Sequence, residues 1–221
     1  MAAGGIGACQ PDWRSIAAPN TVNVAATCTG TRALGPGFRS VVWVQGCPFR
    51  CPHCLAPEWL PDRAARLVAA ETLAAELTAD PRVDGLTISG GEPMAQAEPL
   101  ARMLRVVRSA RAVTVICYTG YRLERLTSAR APDGASLLLR EVDVLIDGLY
   151  VAALDDGKGI RGSSNQRIHH LTSRLRGYDF ERRPRSAELH FVGDDVHLVG
   201  VPPRGLLNAL DEFTPTAGSQ R

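Results

Sequence analysis

Lysine is all but missing from this chain: Lys158 is the only one, and every other cation is arginine. Beside the abundant alanine, this reads as coding bias rather than function. Net charge is also slight, a formal +2, which argues against a nucleic-acid binder driven by bulk charge. No apolar run approaches the roughly 20 residues needed to span a bilayer. Met1 to Gln10 has no basic segment and no proper apolar stretch, so a secretory leader and a membrane partner are not expected. Six cysteines in 221 residues are too few for a disulfide scaffold. A reducing cytoplasm is the expected setting, and there clustered thiols point to metal or redox chemistry.

What the chain does have supports one sizeable core: it is 45% hydrophobic and 22% charged, enough for a single domain. We expect that domain over residues 21–213. A Gly-, Pro- and Ala-containing arm over 1–20 and a tail over 214–221 are expected to be poorly ordered.

Half of the cysteines crowd into one loop. Cys47, Cys51 and Cys54 follow a C-x3-C-x2-C spacing just after the apolar segment Ser40 to Gln45, which reads as a buried strand. A nearby fourth ligand is lacking. Closed structural zinc sites take four, and a four-iron cluster usually takes four cysteines. Three thiolates leave one metal position open, as a catalytic site does. A zinc knuckle completed by His53 or a distant histidine is the alternative use of the same residues. Cys9, Cys28 and Cys117 show no paired spacing. Cys117 reads as a small buried apolar residue.

Strand and helix patterns alternate along the chain. Strands are expected at Val22 to Ala26, Asp84 to Ser89, Ala112 to Cys117 and Val142 to Ile146. A helix is expected from Ala64 to Ala79. Residues 96–109 carry a second, with Leu100, Met103, Leu104 and Val107 as its stripe. A third is expected from Tyr121 to about Arg130. Ser163 and Gln166 fit a capping box, so a helix is expected there too, with Ile168, Leu171 and Leu175 on one face. Ala187 to Val192 and Val196 to Val201 read as strands, and Leu206 to Phe213 as a last short helix. This order implies an α/β fold with crossover helices. Its length is short of the roughly 250 residues of an eight-unit barrel. A partial barrel or an open, curved, mainly parallel sheet fits better. Ligands in such folds bind beyond the C-terminal ends of the strands. Polar or Gly-rich stretches at 46–54, 89–93, 118–121 and 147–148 sit at four such ends.

Gly90-Gly91-Glu92-Pro93 is the second chemical motif. Paired glycines let a backbone approach a ligand closely. A carboxylate such as Glu92 accepts a charge-assisted hydrogen bond from an ammonium group. Read alone, the same four residues could be a strand-to-helix turn with a surface Glu.

With this second motif in place, the chain resembles the radical S-adenosylmethionine (SAM) superfamily. Within it the chain is most similar to the short activating enzymes of glycyl radical proteins, of the anaerobic ribonucleotide reductase type. Trp43 to Cys47, Tyr118 to Tyr121, Asp143 to Gly148 and Arg161 to Arg167 carry this narrower likeness, which runs from about Val22 to Leu175. The resemblance implies a [4Fe-4S] cluster on Cys47, Cys51 and Cys54, with SAM chelating the fourth iron. It implies reductive cleavage of SAM to methionine and a 5′-deoxyadenosyl radical, which takes a hydrogen atom from a glycine of a partner enzyme. A flavodoxin- or ferredoxin-type donor supplies the electron. By the same likeness SAM contacts His53, Cys54 and Leu55, then Ser89, Gly90, Gly91, Glu92 and Pro93. Thr119, Asp147 and Arg167 complete the expected contacts. His53 stands where the family often has an aromatic residue near the adenine, and an imidazole can still stack there.

Two other uses stay open at this level. One is radical SAM chemistry on a peptide or small metabolite, with Tyr178 to Arg221, which carries no family motif, as the place for its substrate site. The other is a non-catalytic metal-binding interaction module. Seven arginines and two histidines over 161–185 read as a solvated face rather than a docking surface for an acidic partner.

Overall fold

The structure, a computed structural model, describes residues 13–192, 195–203, 205–206 and 209. Cys9, the tail from 214 and most of the last expected helix lie outside the described residues. In chain order the regular elements are α1 (Trp13–Ile16), β1 (Thr21–Thr31), β2 (Arg39–Val44), β3 (Arg66–Ala69), α2 (Ala70–Leu77), β4 (Gly85–Gly90), α3 (Ala97–Ala110), β5 (Thr114–Thr119), α4 (Leu123–Leu126), α5 (Ala135–Leu139), β6 (Val144–Asp147), β7 (Arg167–His170), β8 (Ala187–Val192) and β9 (Asp195–Gly200).

Seven strands form an open sheet in the order β3-β1-β2-β4-β5-β6-β7. Its centre, β2-β4-β5-β6, is parallel. Both flanks are antiparallel: β1 pairs with β2 and β3, and β7 pairs with β6. The expected parallel core is present, in a mixed sheet whose edges among the described residues are β3 and β7.

Strand side chains alternate between two buried faces. On one, Val42, Val44, Leu86, Ile88, Val115 and Leu145 pack under α2 and α3 in the main core. The stripe read from the sequence, Leu100, Met103, Leu104 and Val107, supplies the helical side of that core. Among the described residues the other face carries no α-helix of comparable length. Val41 and Trp43 pack there against Val199 and Val201 of the β8–β9 region. Ile116, Val144 and Ile146 pack against Ile160, Leu175 and Phe180. Between these two clusters, β4 turns only Gly85, Thr87 and Ser89 to this face, so space is left along the middle of the sheet. Arg39 fills its lower end. Its buried guanidinium donates to Thr87 Oγ1, Thr114 Oγ1 and the carbonyls of Pro36, Leu86 and Thr114.

Three expectations are corrected. Residues 64–79 are not one helix: Arg66–Ala69 pairs with Thr21–Val24 of β1, and the helix starts only at Ala70. Alanine favours a helix, but an available strand edge outweighs that preference. Residues 167–170 are a strand, not a capped helix, because they complete the far edge of the sheet against β6. The Gln166 side chain that suggested a cap instead accepts from the N–H groups of Gly162 and Ser163 at 2.8 and 3.3 Å. The helix after Tyr121 is a single turn, Leu123–Leu126. In the arm, Trp13 is buried and donates from Nε1 to Asp62 at 2.8 Å, so it is fastened to the loop that follows the cysteines.

Candidate active site

The four strand ends converge. Cys47, Cys51, Cys54, Ser89, Gly90, Gly91, Glu92, Thr119, Gly120 and Gly148 all line one cavity of about 480 Å³, within the size range of small-molecule sites. It opens on the face opposite α2 and α3, beyond Arg39, because the parallel strands all end there. Trp43 and Trp59, with ring centroids 5.5 Å apart, stand on one side, and Tyr118 and Tyr150 also face it.

The cysteine loop is held by its backbone. Gly46 N donates to Trp59 O at 2.9 Å and Cys47 N to Leu60 O at 3.1 Å, so the loop folds back on itself. Three buried amide side chains, Asn23, Gln45 and Gln96, tie the returning segment to the strands. Gln45 donates to Pro61 O, Asn23 to Arg63 O, and Gln96 to Gln45 O, all at 2.7–2.9 Å. Sequence reasoning missed these positioning residues. The available signal was an amide at each of three strand or turn ends, where an apolar residue would otherwise be expected.

The glycines of the second motif line the cavity and also serve the fold. A Cβ on Gly90, at φ +107°, would strike the backbone of Val44, and one on Gly91 would strike the Gly46 carbonyl. Gly91 N and Glu92 N donate to Val44 O and Gly46 O at 2.7 and 2.9 Å. The closest approach they permit is to the cysteine loop, so the two motifs are locked together.

Glu92 is buried at the meeting point. Its Oε1 accepts from Met94 N (2.8 Å) and Thr119 Oγ1 (2.7 Å), and its Oε2 from Gly120 N (2.8 Å). Burial pushes its carboxyl up to about 7, against the pull of those three donors. A cation brought beside it would restore the charged form.

Of the other expected residues, Asp147, Arg167, His53 and Pro93 lie off the cavity wall. Asp147 is wholly buried, but its carboxylate accepts from Leu123 N and Arg122 and from Arg167 at 3.0 and 2.7 Å. Arg167 also pairs with Glu124. The two groups spend their charge on each other and on α4, and it is their neighbours Gly148 and Gln166 that line the cavity. Burial alone would raise the Asp147 carboxyl; Arg167 and the other donors outweigh it and hold it at about 2. His53 is exposed with φ +57°, and closes the turn in which Cys54 N donates to Cys51 O at 3.2 Å. Pro93 begins the short turn that sets Glu92. Leu55 is exposed at the cavity rim.

The donor set fits an iron–sulfur cluster. Cys47, Cys51 and Cys54 are all free thiols, and among the described residues no group of His, Cys, Asp or Glu converges to hold a single metal ion. A cluster asks less of them, since each thiolate binds a different iron. Burial pushes the Cys47 thiol up to about 12 and also raises that of Cys51, so a bound metal must supply the charge that makes them thiolates.

Known proteins are similar to this chain in sequence. The family model described as a 4Fe-4S single cluster domain matches residues 33–169. The anaerobic ribonucleoside-triphosphate reductase-activating protein of Salmonella typhi is 34% identical over 146 residues, covering 62% of this chain and 91% of that protein. Its counterpart in Escherichia coli K12 is 32% identical over 147 residues, with the same coverage. The pyruvate formate-lyase-activating enzyme of Clostridium pasteurianum is 38% identical over 92 residues, covering 39% of each chain.

Proposed function

Because the chain belongs to the 4Fe-4S single cluster domain family, we propose that it is a radical SAM enzyme that activates a protein partner by abstracting hydrogen from a glycine. The observation that carries this is the convergence of three free thiols, the Gly90–Glu92 turn and two further strand ends on one cavity. Cys47, Cys51 and Cys54 would hold the [4Fe-4S] cluster. When bound, it would supply one electron for the reductive cleavage of SAM to methionine and 5′-deoxyadenosine, the added hydrogen atom coming from the glycine, which keeps the unpaired electron.

The chain's own groups bind and orient. A carboxylate has about four acceptor sites, and Glu92 uses three on its neighbours, which leaves capacity for the SAM ammonium. Ser89, Gly90, Gly91, Thr119, Cys54 and Leu55 offer the remaining wall. Asp147 and Arg167 support it from behind, through the Gly148 backbone and α4. His53 and Pro93 set the two turns. A flavodoxin- or ferredoxin-type protein is the electron donor in this reading. Among the described residues no helix is long and apolar enough to cross a membrane.

Anoxically reconstituted protein given dithionite and SAM is expected to release 5′-deoxyadenosine, measured by chromatography. Cys51→Ala is expected to abolish that release. Unchanged turnover in this variant would overturn the assignment.

A further inference from the structure

The hairpin of β8 and β9 lies beyond residues 33–169, the stretch that the family model matches, yet it forms one wall of the cavity. Its two faces differ. On one, Val199 is buried against Val41 and Trp43, and His190 lies 3.5 Å from Cys28 Sγ and 2.9 Å from Glu188. On the other, the cross-strand pairs Leu189–Leu198 and Phe191–Val196 form an apolar surface. There Phe191 is 75% and Val196 54% exposed. Single exposed apolar side chains need no explanation, but a paired patch that runs into a reaction cavity does.

The edge of the hairpin adds a second, independent feature. Successive strand residues point to opposite faces, yet Val196, His197 and Leu198 all line the cavity. A strand borders one space with both of its faces only by turning its edge to it. Among the described residues β9 pairs with β8 alone, so its outer N–H and C=O groups have no ladder partner there.

We propose that β9 is the docking edge for an extended stretch of the protein substrate. This rests on the reading of a protein partner given above. The incoming main chain adds a third strand beside β9, covers Val196 and Leu198 with its own side chains, and delivers an adjoining residue toward the cysteines. A polypeptide is the occupant that fits, because ladder hydrogen bonds need a main chain, with apolar pockets reading alternate side chains.

The test uses the full chain, reconstituted with its cluster and SAM. The probe is a synthetic peptide spanning the radical-bearing glycine of an anaerobic ribonucleoside-triphosphate reductase. Hydrogen exchange followed by mass spectrometry is expected to slow about tenfold at the amides of 196–200 when the peptide is added. Val196→Lys places a charge on the edge and is expected to remove that protection and raise the peptide KM roughly tenfold. Phe191→Ser, at a more exposed position away from the cavity, is expected to move both readouts the same way, which separates docking from misfolding. Glycyl radical formation on the peptide with exchange at β9 unchanged would overturn the docking edge and leave the enzymatic reading intact. Protection that grows with protein concentration in the absence of peptide would overturn it in favour of a contact between two copies. Failure of the wild type to form any 5′-deoxyadenosine with dithionite would overturn the underlying reading, and the docking edge with it.

Discussion

Glu92 shows what a single residue contributes and costs. Its place was legible, since a carboxylate after two glycines at a strand end suggests an ammonium partner. Its protonation was not, because that depends on burial. In the folded chain burial raises it to about 7, while in the unfolded chain it titrates near the ordinary value of about 4.3. A carboxyl raised on folding stabilises most fully below its unfolded value, and that contribution is lost as pH rises toward the folded one. We therefore expect the metal-free wild type to lose stability from about pH 4.3 to 7 relative to Glu92→Gln, by on the order of 3 kcal/mol. Urea denaturation of both proteins at pH 5 and pH 8 measures the difference. An equal change in both would show that Glu92 does not titrate in this window. The same charge that destabilises the empty fold is the one an ammonium ligand would neutralise.

At the scale of elements, β7 is the instructive misreading. Arg167–His170 has a plausible helical pattern on paper, but it pairs with β6 and brings Arg167 and His169 onto the buried Asp147. No sequence window reports that edge, because Asp147 and Arg167 are brought together by pairing, not by spacing. The network predicts an asymmetry. Asp147→Ala strips a buried acceptor from Arg122, Arg167, the His169 ring and the N–H of Leu123, and should cost roughly 3 kcal/mol or more. Glu124→Ala removes an exposed partner of the same arginine, and should cost far less, because solvent screens that pair. Equilibrium unfolding in urea compares them; equal losses would refute the view that burial of Asp147, rather than the count of ion pairs, holds β7 and α4 in place. Loss of the Asp147 charge should act likewise, its contribution falling away in acid as pH drops toward about 2.

At the scale of the molecule, the sheet separates two tasks. One face carries α2 and α3 and a continuous apolar core; the other holds Arg39 at one end and the cavity at the other. The core contains none of Cys47, Cys51 and Cys54, so metal bound by them should be dispensable for the sheet but visible at the cavity. Trp43 and Trp59 both border it, and an iron–sulfur cluster absorbs where tryptophan emits. Stripping the cluster with chelator and oxidant is expected to recover most tryptophan emission while far-UV circular dichroism stays unchanged. A parallel loss of ellipticity would mean that the cluster is needed for the fold.

By itself, the order of residues determined the three-thiol loop, the Gly90–Pro93 turn and the parallel core of the sheet. Each of these rests on local chemistry: ligand spacing, backbone freedom and apolar periodicity. Tertiary structure alone decided the rest. It made 66–69 and 167–170 strands, because a free sheet edge offers hydrogen bonds that no local preference matches. It turned Asp147 and Arg167 toward each other, set Asn23, Gln45 and Gln96 behind the cysteine loop, and raised Glu92 by burying it. It also carried a hairpin from beyond the recognisable motifs onto the cavity rim. Residues far apart in the chain acquire these roles only through packing, since burial and pairing exist only between elements that have already come together.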